Sequence, residues 1–327
     1  MSAVAQARAR QALTDAGYDA DGELRPLRNV TNEVWLTDEH MIRLNRRHDA
    51  RLRKEIEVAR LLPPAVEYPE IVAYGGEEGD DFLVTTRPQG QVLAHAWSSL
   101  SQAQQSVAIQ GLTQHMRAVH AVQLPAEVPT IADPPLLESV TRVSPTEKVV
   151  AALVLVERHA HVDAGVINEL RGLIRDLTLA LEPFDAPTMI HGDVHFENVL
   201  WDGNRVTGLL DYKWARTAPP DLELDVLLRY CSLPFIYVDS TRRSQVSAAS
   251  HAQAPWLLAE SYPELFNAPR QFDRLRVYSI AHDVREVLLY PPPLPVDRLP
   301  EHHPYRRLIR LARGDSHLDL LARAPAA

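Results

Sequence analysis

The spacing of apolar residues changes period at readable places along the chain. Alanines recur at helical spacing from residue 3 and the run stops at Gly17, which predicts a short helix over residues 3–17. Period two then takes over: Leu24 to Leu27, Glu33 to Leu36 and His40 to Leu44 read as strands, with Arg28 to Asn32 turning between the first two. Alternation in the third strand puts Met41 and Arg43 on one face and Ile42 and Leu44 on the other. From about Asp49 to Leu62 the period is helical again, with Leu52, Ile56 and Ala59 on one stripe and Glu55 on the same face, until Pro63-Pro64 stops it. An inward carboxylate needs a partner, since burying a bare charge is expensive, and Arg43 is the cation assigned to it. Ile71 to Tyr74 and Phe82 to Thr86 are two further strands, followed by the linker Arg87-Pro88-Gln89-Gly90.

Past that linker, helical periodicity dominates. A long helix from Ser101 to Val122 carries Leu112, Met116 and Val119 on one stripe, with His115 and His120 beside it as core or interface histidines. A proline-rich connection, Leu124 to Pro135, leads to helices at about Pro145–Ala160 and Asp163–Leu181. Later helices are expected after Asp221, its N-cap, with the stripe Leu224, Leu227, Leu228 and Cys231, and at Ala252–Glu260, Phe272–Leu289 and Tyr305–Arg313. Trp256, Tyr278, Asp283 and Glu286 are late side chains available to a pocket, whereas His302-His303 reads as an exposed loop pair.

One stretch within this helical part has strand character, MIHGDVHFENVLWDGNRVTGLLDYKW, from Met189 to Trp214. Val199 to Trp201 and Val206 to Leu210 are β-rich, and Asp202-Gly203-Asn204 between them is a hairpin signal. A tight hairpin returns the chain to its starting end, so Asp193, Asn198 and Asp211 are expected to converge at the mouth of one small sheet. Oxygen donors without cysteine or spaced histidines suit Mg²⁺, which takes one or two carboxylates together with substrate phosphates. The remaining Asp is then free to act on a substrate hydroxyl. His191 could serve as a general base but reads better as a brace for the loop, and His195 faces either solvent or substrate.

Composition excludes several classes. With 46% hydrophobic and 24% charged residues, the 327-residue chain is an ordinary globular protein, long enough for two unequal lobes. The single cysteine, Cys231, rules out an intrachain disulfide and points to a reducing cytoplasm. The N-terminal residues lack the apolar core of a signal peptide, and no run is long enough to span a membrane. A formal charge of −9 disfavours nucleic acid as a partner. An acidic surface would steer a cationic small molecule or simply keep the protein soluble.

HGDVHFENVLW, followed by LLDYKW and PPDLELDVL, resembles the aminoglycoside phosphotransferase family of small-molecule kinases, which is similar in fold to protein kinases. Asp193-x-x-x-x-Asn198 has the spacing of the protein-kinase catalytic loop. The resemblance implies an α+β, bilobal fold: a small antiparallel-sheet lobe for the nucleotide at residues 1–87 and a larger, mainly helical catalytic and substrate lobe at 88–327. It implies ATP and Mg²⁺ as cofactors, with Asp193 as the catalytic base and Asn198 and Asp211 as metal ligands. Arg43, held by Glu55, would pair with the nucleotide phosphates, and backbone groups near Thr85, Thr86 and Arg87 would read the adenine edge. Arg43 departs from the usual strand lysine, and the turn Arg28–Asn32, which would lie over the phosphates, lacks glycine. Asp225 matches a family Asp that buttresses the catalytic loop, or is a plain first-turn acid. The implied acceptor is a hydroxylated small molecule such as an antibiotic, with sugar, choline or amino-acid kinases and a nucleotide-binding pseudokinase as alternatives.

Overall fold

The period-two segments near the N-terminus pair into one antiparallel sheet. The computed structural model describes residues 3–27, 32–46, 48–125, 127–128, 137, 144–182, 184, 188–238 and 242–322. Helix α1 (Ala3–Asp15) is followed by β1 (Arg25–Leu27), β2 (Asn32–Leu36), β3 (His40–Asn45), α2 (Arg51–Ala59), β4 (Ile71–Gly75) and β5 (Phe82–Thr86). The strands stand in the order β1-β2-β3-β5-β4. The expected turn after Leu27 lies, except for Asn32, outside the described residues.

Alternation decides which helix covers which face. Ile42 and Leu44 pack with Trp35 and Val84 against Ala5, Ala9 and Leu13 of α1. On the other face Leu83 meets Leu52 and Ile56 of α2. Leu83 is the cross-strand neighbour of Arg43, which therefore looks towards α2. Leu52 and Ile56 are fully buried, and each such side chain stabilises the fold by roughly 1.5–3 kcal/mol.

The connection Arg87–Gly90 lies between β5 and the next strand. Directly after it, β6 (Gln91–Val92) pairs with the later hairpin, and α3 (Leu93–Ala96) and α4 (Gln102–His120) follow. Helix α4 starts at a capping box: Ser101 Oγ accepts from the Gln104 amide at 3.3 Å, and Gln104 Oε1 accepts from the Ser101 amide at 3.1 Å. Most of the proline-rich connection from Leu124 lies outside the described residues. Next come α5 (Pro145–Val156), α6 (Ala164–Asp176), β7 (Met189–Ile190), β8 (Val199–Trp201), β9 (Val206–Leu209) and β10 (Arg216–Thr217). The chain continues through α7 (Leu222–Ser232), α8 (Ala254–Ser261), α9 (Gln271–Leu289), α10 (Pro304–Ala312) and α11 (Asp319–Ala322). One large core joins Met116 of α4, Leu228 of α7, Ile280 of α9 and Leu308 of α10. The fold is thus α+β and two-lobed, a sheet with its own small cores beside a larger helical body. No described helix is long and apolar enough to cross a membrane.

Two local expectations fail. Asp221 has helical dihedrals and makes no capping hydrogen bond; its carboxylate instead takes Arg274 through Nε at 2.6 Å and Nη2 at 3.1 Å. His302 and His303 are half-buried rather than exposed: His302 packs edge-on against Phe235, and His303 Nδ1 caps α10 by accepting from the Tyr305 amide at 3.2 Å.

Candidate active site

The hairpin forms where the Asp-Gly-Asn signal puts it. Asp202 Oδ1 accepts from the amides of Asn204 at 2.8 Å and Arg205 at 2.9 Å, and Gly203 adopts φ +106°, which favours glycine. Strands β8 and β9 pair Val199 with Leu209, and β6 adds a third strand. The Leu210 amide donates to the Asn198 carbonyl at 2.9 Å, which brings Asn198 and Asp211 to the same end of the ladder.

Asp193 reaches that end through a loop whose main chain is held by side chains. The ring of His191 lies between two main-chain groups: Nε2 donates to the Leu210 carbonyl at 2.8 Å, and Nδ1 accepts from the Asp193 amide at 3.2 Å. These partners assign the neutral Nε2–H tautomer, and burial pushes the His191 pKa down. His191 is therefore a brace with no free nitrogen for proton abstraction. Gly192 has φ +80°, and a Cβ there would overlap the Trp214 carbonyl and the Arg216 guanidinium. Asn198 Nδ2 donates to the Asp193 carbonyl at 2.9 Å, committing its amide donor and leaving Oδ1 as the acceptor.

Burial alone would raise the Asp193 pKa, but His195 and Lys213 outweigh it and hold the carboxyl below the usual carboxylate range. His195 Nε2 lies 3.5 Å from Asp193 Oδ1. Its ring is buried, stacked on Tyr230 at 5.7 Å and tilted against Tyr237 at 4.8 Å, so it faces the catalytic loop and not open solvent.

Asp211 carries a cation on each carboxylate oxygen. Arg43 Nη2 lies 3.7 Å from Oδ1, while Lys213 Nζ bonds to Oδ2. Burial opposes ionisation, yet Lys213 and Arg43 lower the Asp211 pKa. Arg43 Nη1 also contacts Glu55 Oε1 at 2.5 Å, and the Tyr68 hydroxyl donates to the same oxygen at 2.9 Å. The Trp214 ring meets two guanidinium groups, Arg51 of α2 at 5.3 Å and Arg285 of α9 at 4.4 Å. Helix α2 is thereby tied to the Asp211 turn at both Glu55 and Arg51.

Among the described residues, no three His, Cys, Asp or Glu side chains group as a metal cluster. Asn198 and Asp211 are a smaller set, one amide and one carboxylate oxygen, that fits a hard divalent cation completing its shell with phosphate oxygens. Asp211 Oδ1 is buried without a hydrogen-bond partner, as an oxygen reserved for a cation would be. Glu197 is directed elsewhere, towards His95 at 3.6 Å and Arg242 at 3.9 Å.

At the end of β5, Thr85 pairs with Met41 on one side and Ile71 on the other, its hydroxyl buried without a partner. The Thr86 amide donates to the Glu70 carbonyl at 2.9 Å and the Arg87 amide to the Glu39 carbonyl at 2.6 Å. Residue 88 is proline. Main-chain recognition of a base at this edge would rest on carbonyl oxygens.

The buttress of the catalytic loop is Glu223 and not Asp225. Glu223 Oε1 accepts from the Gly192 amide at 3.0 Å, and Oε2 pairs with His120 Nε2 at 2.7 Å. Asp225 instead binds Arg229 at 3.2 Å, His317 at 2.8 Å and the Ser279 hydroxyl. Helical geometry explains the choice: Asp221 and Asp225 are four residues apart and share the face that meets α9, and Glu223, two residues from each, points the other way. The late acids expected in a pocket are neutralised. Asp283 is fully buried between Arg229 at 2.7 Å and Arg307 at 2.6 Å, and Glu286 contacts Arg285 at 2.9 Å. Tyr278 is buried against Asp221, at 3.2 Å, and Trp256 is half-buried.

The fold is that of aminoglycoside phosphotransferases, which share the two-lobed protein-kinase-like architecture. The GDP complex of wild-type aminoglycoside 2'-phosphotransferase-IIIa superposes with a TM-score of 0.64 at 15% identity, over 96% of this chain and 98% of that one. A thermostable mutant of aminoglycoside phosphotransferase APH(4)-Ia, in ternary complex with AMP-PNP and hygromycin B, gives 0.63 at 15% identity over 98% and 99%. The streptomycin-ATP-APH(2")-IIa ternary complex gives 0.60 at 15% identity over 87% and 90%. At this identity the likeness is one of fold, and no curated protein matches the chain. The sequence profile of the phosphotransferase enzyme family, APH, matches residues 23–256, a span that includes the Arg43–Glu55 pair, the hairpin and its three oxygen-bearing side chains, and the chain belongs to that family.

Proposed function

We propose that the protein is an ATP-dependent small-molecule kinase that transfers the γ-phosphoryl group to a hydroxyl of its substrate. The observation that carries this reading is the gathering of Asp193, Asn198 and Asp211 at one hairpin end, with Arg43 joining Asp211 to Glu55. Residues 1–87 would form the nucleotide lobe and residues 88–327 the catalytic and substrate lobe.

Asn198 Oδ1 and Asp211 would hold Mg²⁺, which when bound neutralises charge on the nucleotide phosphates. Arg43, kept in place by Glu55, pairs with those phosphates, and its planar fork can grip carboxylate and phosphate together. Thr85, Thr86 and Arg87 line the edge where the base would lie. Asp193 accepts the proton of the substrate hydroxyl while its carboxylate, held ionised by His195 and Lys213, orients that oxygen for in-line attack. Little covalent work falls to the protein, and positioning with electrostatics supplies most of the acceleration.

Structurally similar enzymes are known in complex with hygromycin B and with streptomycin, which supports a hydroxylated antibiotic as acceptor. A metabolic hydroxyl substrate is the second reading. It is favoured by the pairing of Asp283 and Glu286 with arginines, because a polycationic drug needs unpaired carboxylates to bind. The free, buried Cys231 is in keeping with work in a reducing cytoplasm.

A coupled assay of ATP consumption over a panel of aminoglycosides, other antibiotics, sugars, choline and hydroxylated amino acids tests the proposal. Turnover with one class identifies the acceptor. Binding of Mg·ATP without turnover on any member favours a nucleotide-binding pseudokinase and overturns the kinase assignment.

A further inference from the structure

Beyond keeping Asp193 and Asp211 ionised, Lys213 has no role among those assigned above. Asp211 has left-handed dihedrals, φ 72° and ψ 62°, and the single turn Tyr212–Trp214 that follows folds Lys213 back onto it. The lysine is buried, 5% exposed, with Nζ on Asp211 Oδ2, and its field also reaches Asp193. A buried ammonium is costly unless paired, so the tight turn and the carboxylate together fix where this charge sits.

We infer that Lys213 is a resident counter-ion of the metal site. It helps hold Asp211 ready in the absence of a divalent cation, competes with that cation for the charge of the Asp211 carboxylate, and, once displaced, serves as a second phosphate-pairing cation beside Arg43. Arg43 also holds Asp211, through Oδ1 at 3.7 Å, but its other nitrogen stays bound to Glu55, which leaves Lys213 as the cation able to move. Lys213 can exchange partners because its flexible stem carries a point charge that needs no fixed fork. This inference rests on the phosphotransferase reading of the same site, and it makes the site a two-state device: the ammonium on Asp211 without metal, the ammonium on phosphate with it.

The test is a pair of binding measurements on the full chain that require no turnover. Mn²⁺ binding is followed by electron paramagnetic resonance, and ATP binding by calorimetry in EDTA and in Mg²⁺. For Lys213→Met, loss of the competing charge tightens Mn²⁺ binding about tenfold, and loss of the phosphate partner weakens metal-free ATP binding about tenfold. Lys213→Arg, which keeps the competing charge but not the mobile stem, leaves Mn²⁺ affinity near wild type. If Lys213→Met is unstable, Asp211→Asn with Lys213→Met removes both charges and restores the thermal midpoint, whereas a purely packing lysine would not be rescued. Unchanged or weakened Mn²⁺ affinity in Lys213→Met overturns the inference, while a wild-type protein that binds neither Mn²⁺ nor ATP overturns the underlying reading of the site.

Discussion

Arg43 and Asp211 approach to 3.7 Å, joining the third strand of the sheet to the turn that follows the catalytic hairpin. Arg43 reaches Asp211 with one guanidinium nitrogen and Glu55 with the other, so a strand, a helix and a turn share one cation. Such a bridge makes the position of α2 depend on the state of Asp211, and the reverse.

Replacing Arg43 therefore has two separable effects. In Arg43→Met the Glu55 carboxylate, fully buried, keeps only the Tyr68 hydroxyl, and a buried charge left without its ion partner costs roughly 3–5 kcal/mol. Urea denaturation is expected to register that loss, and nucleotide titration a weaker Mg·ATP complex. Arg43→Met with Glu55→Met should recover most of the stability but none of the nucleotide affinity.

Asp193 is expected to matter for turnover and not for binding. Asp193→Asn keeps the shape and removes the proton acceptor, so kcat should fall by about 10²- to 10⁴-fold while the Mg·ATP dissociation constant stays near wild type. Asp211→Asn, by contrast, should weaken Mg·ATP binding itself. Because the Asp193 pKa is held below the ordinary carboxylate range, its protonation should produce no loss of rate between neutrality and pH 5. Initial rates across that range, at saturating nucleotide, check this.

Gly192 is the narrowest point of the catalytic loop. Its left-handed backbone alone would charge alanine about 1–2 kcal/mol. The added Cβ also overlaps the Trp214 carbonyl and the Arg216 guanidinium, and the amide must keep its bond to Glu223. Gly192→Ala is expected to lower the thermal midpoint more than Gly203→Ala, whose Cβ would meet nothing within 4 Å although φ there is also positive. Equal effects at the two glycines would show that close approach at Gly192 carries no weight.

The sequence disclosed the parts whose cause is local. Two-residue alternation in His40–Leu44 fixed which side chains meet α1 and which meet α2, Pro63-Pro64 ended α2, and Asp202-Gly203 closed the hairpin that gathers the site. What escaped depends on contacts between distant segments. PPDLELDVL offers acids at 221, 223 and 225, and only the phase of α7 against the loop and α9 shows that Glu223 is the buttress. Lys213 gave no signal because its reach to Asp211 needs a left-handed residue that is not glycine. Asp283 looked available until Arg229, one helix away, and Arg307, from the last long helix, closed on it.

Asp225 should make the fold sensitive to acid. Burial raises its pKa, but Arg229, His317 and Ser279 more than offset this and bring it down from 3.8 to about 2. A carboxyl whose folded pKa is depressed contributes stability that is fully present above its unfolded pKa and is lost as pH falls through the folded one. The shift corresponds to about 2 kcal/mol, present at neutral pH and fading from about pH 4 towards 2. His317 adds to the same slope at higher pH: burial lowers its pKa, so the folded state resists a proton that the unfolded chain takes up below about pH 6.5. Asp225→Asn is expected to lose about 2 kcal/mol at pH 7 and about half of that at pH 3. Urea denaturation at the two values measures the difference. A constant gap between variant and wild type would mean that Asp225 stabilises α7 and α9 through shape alone and not through its charge.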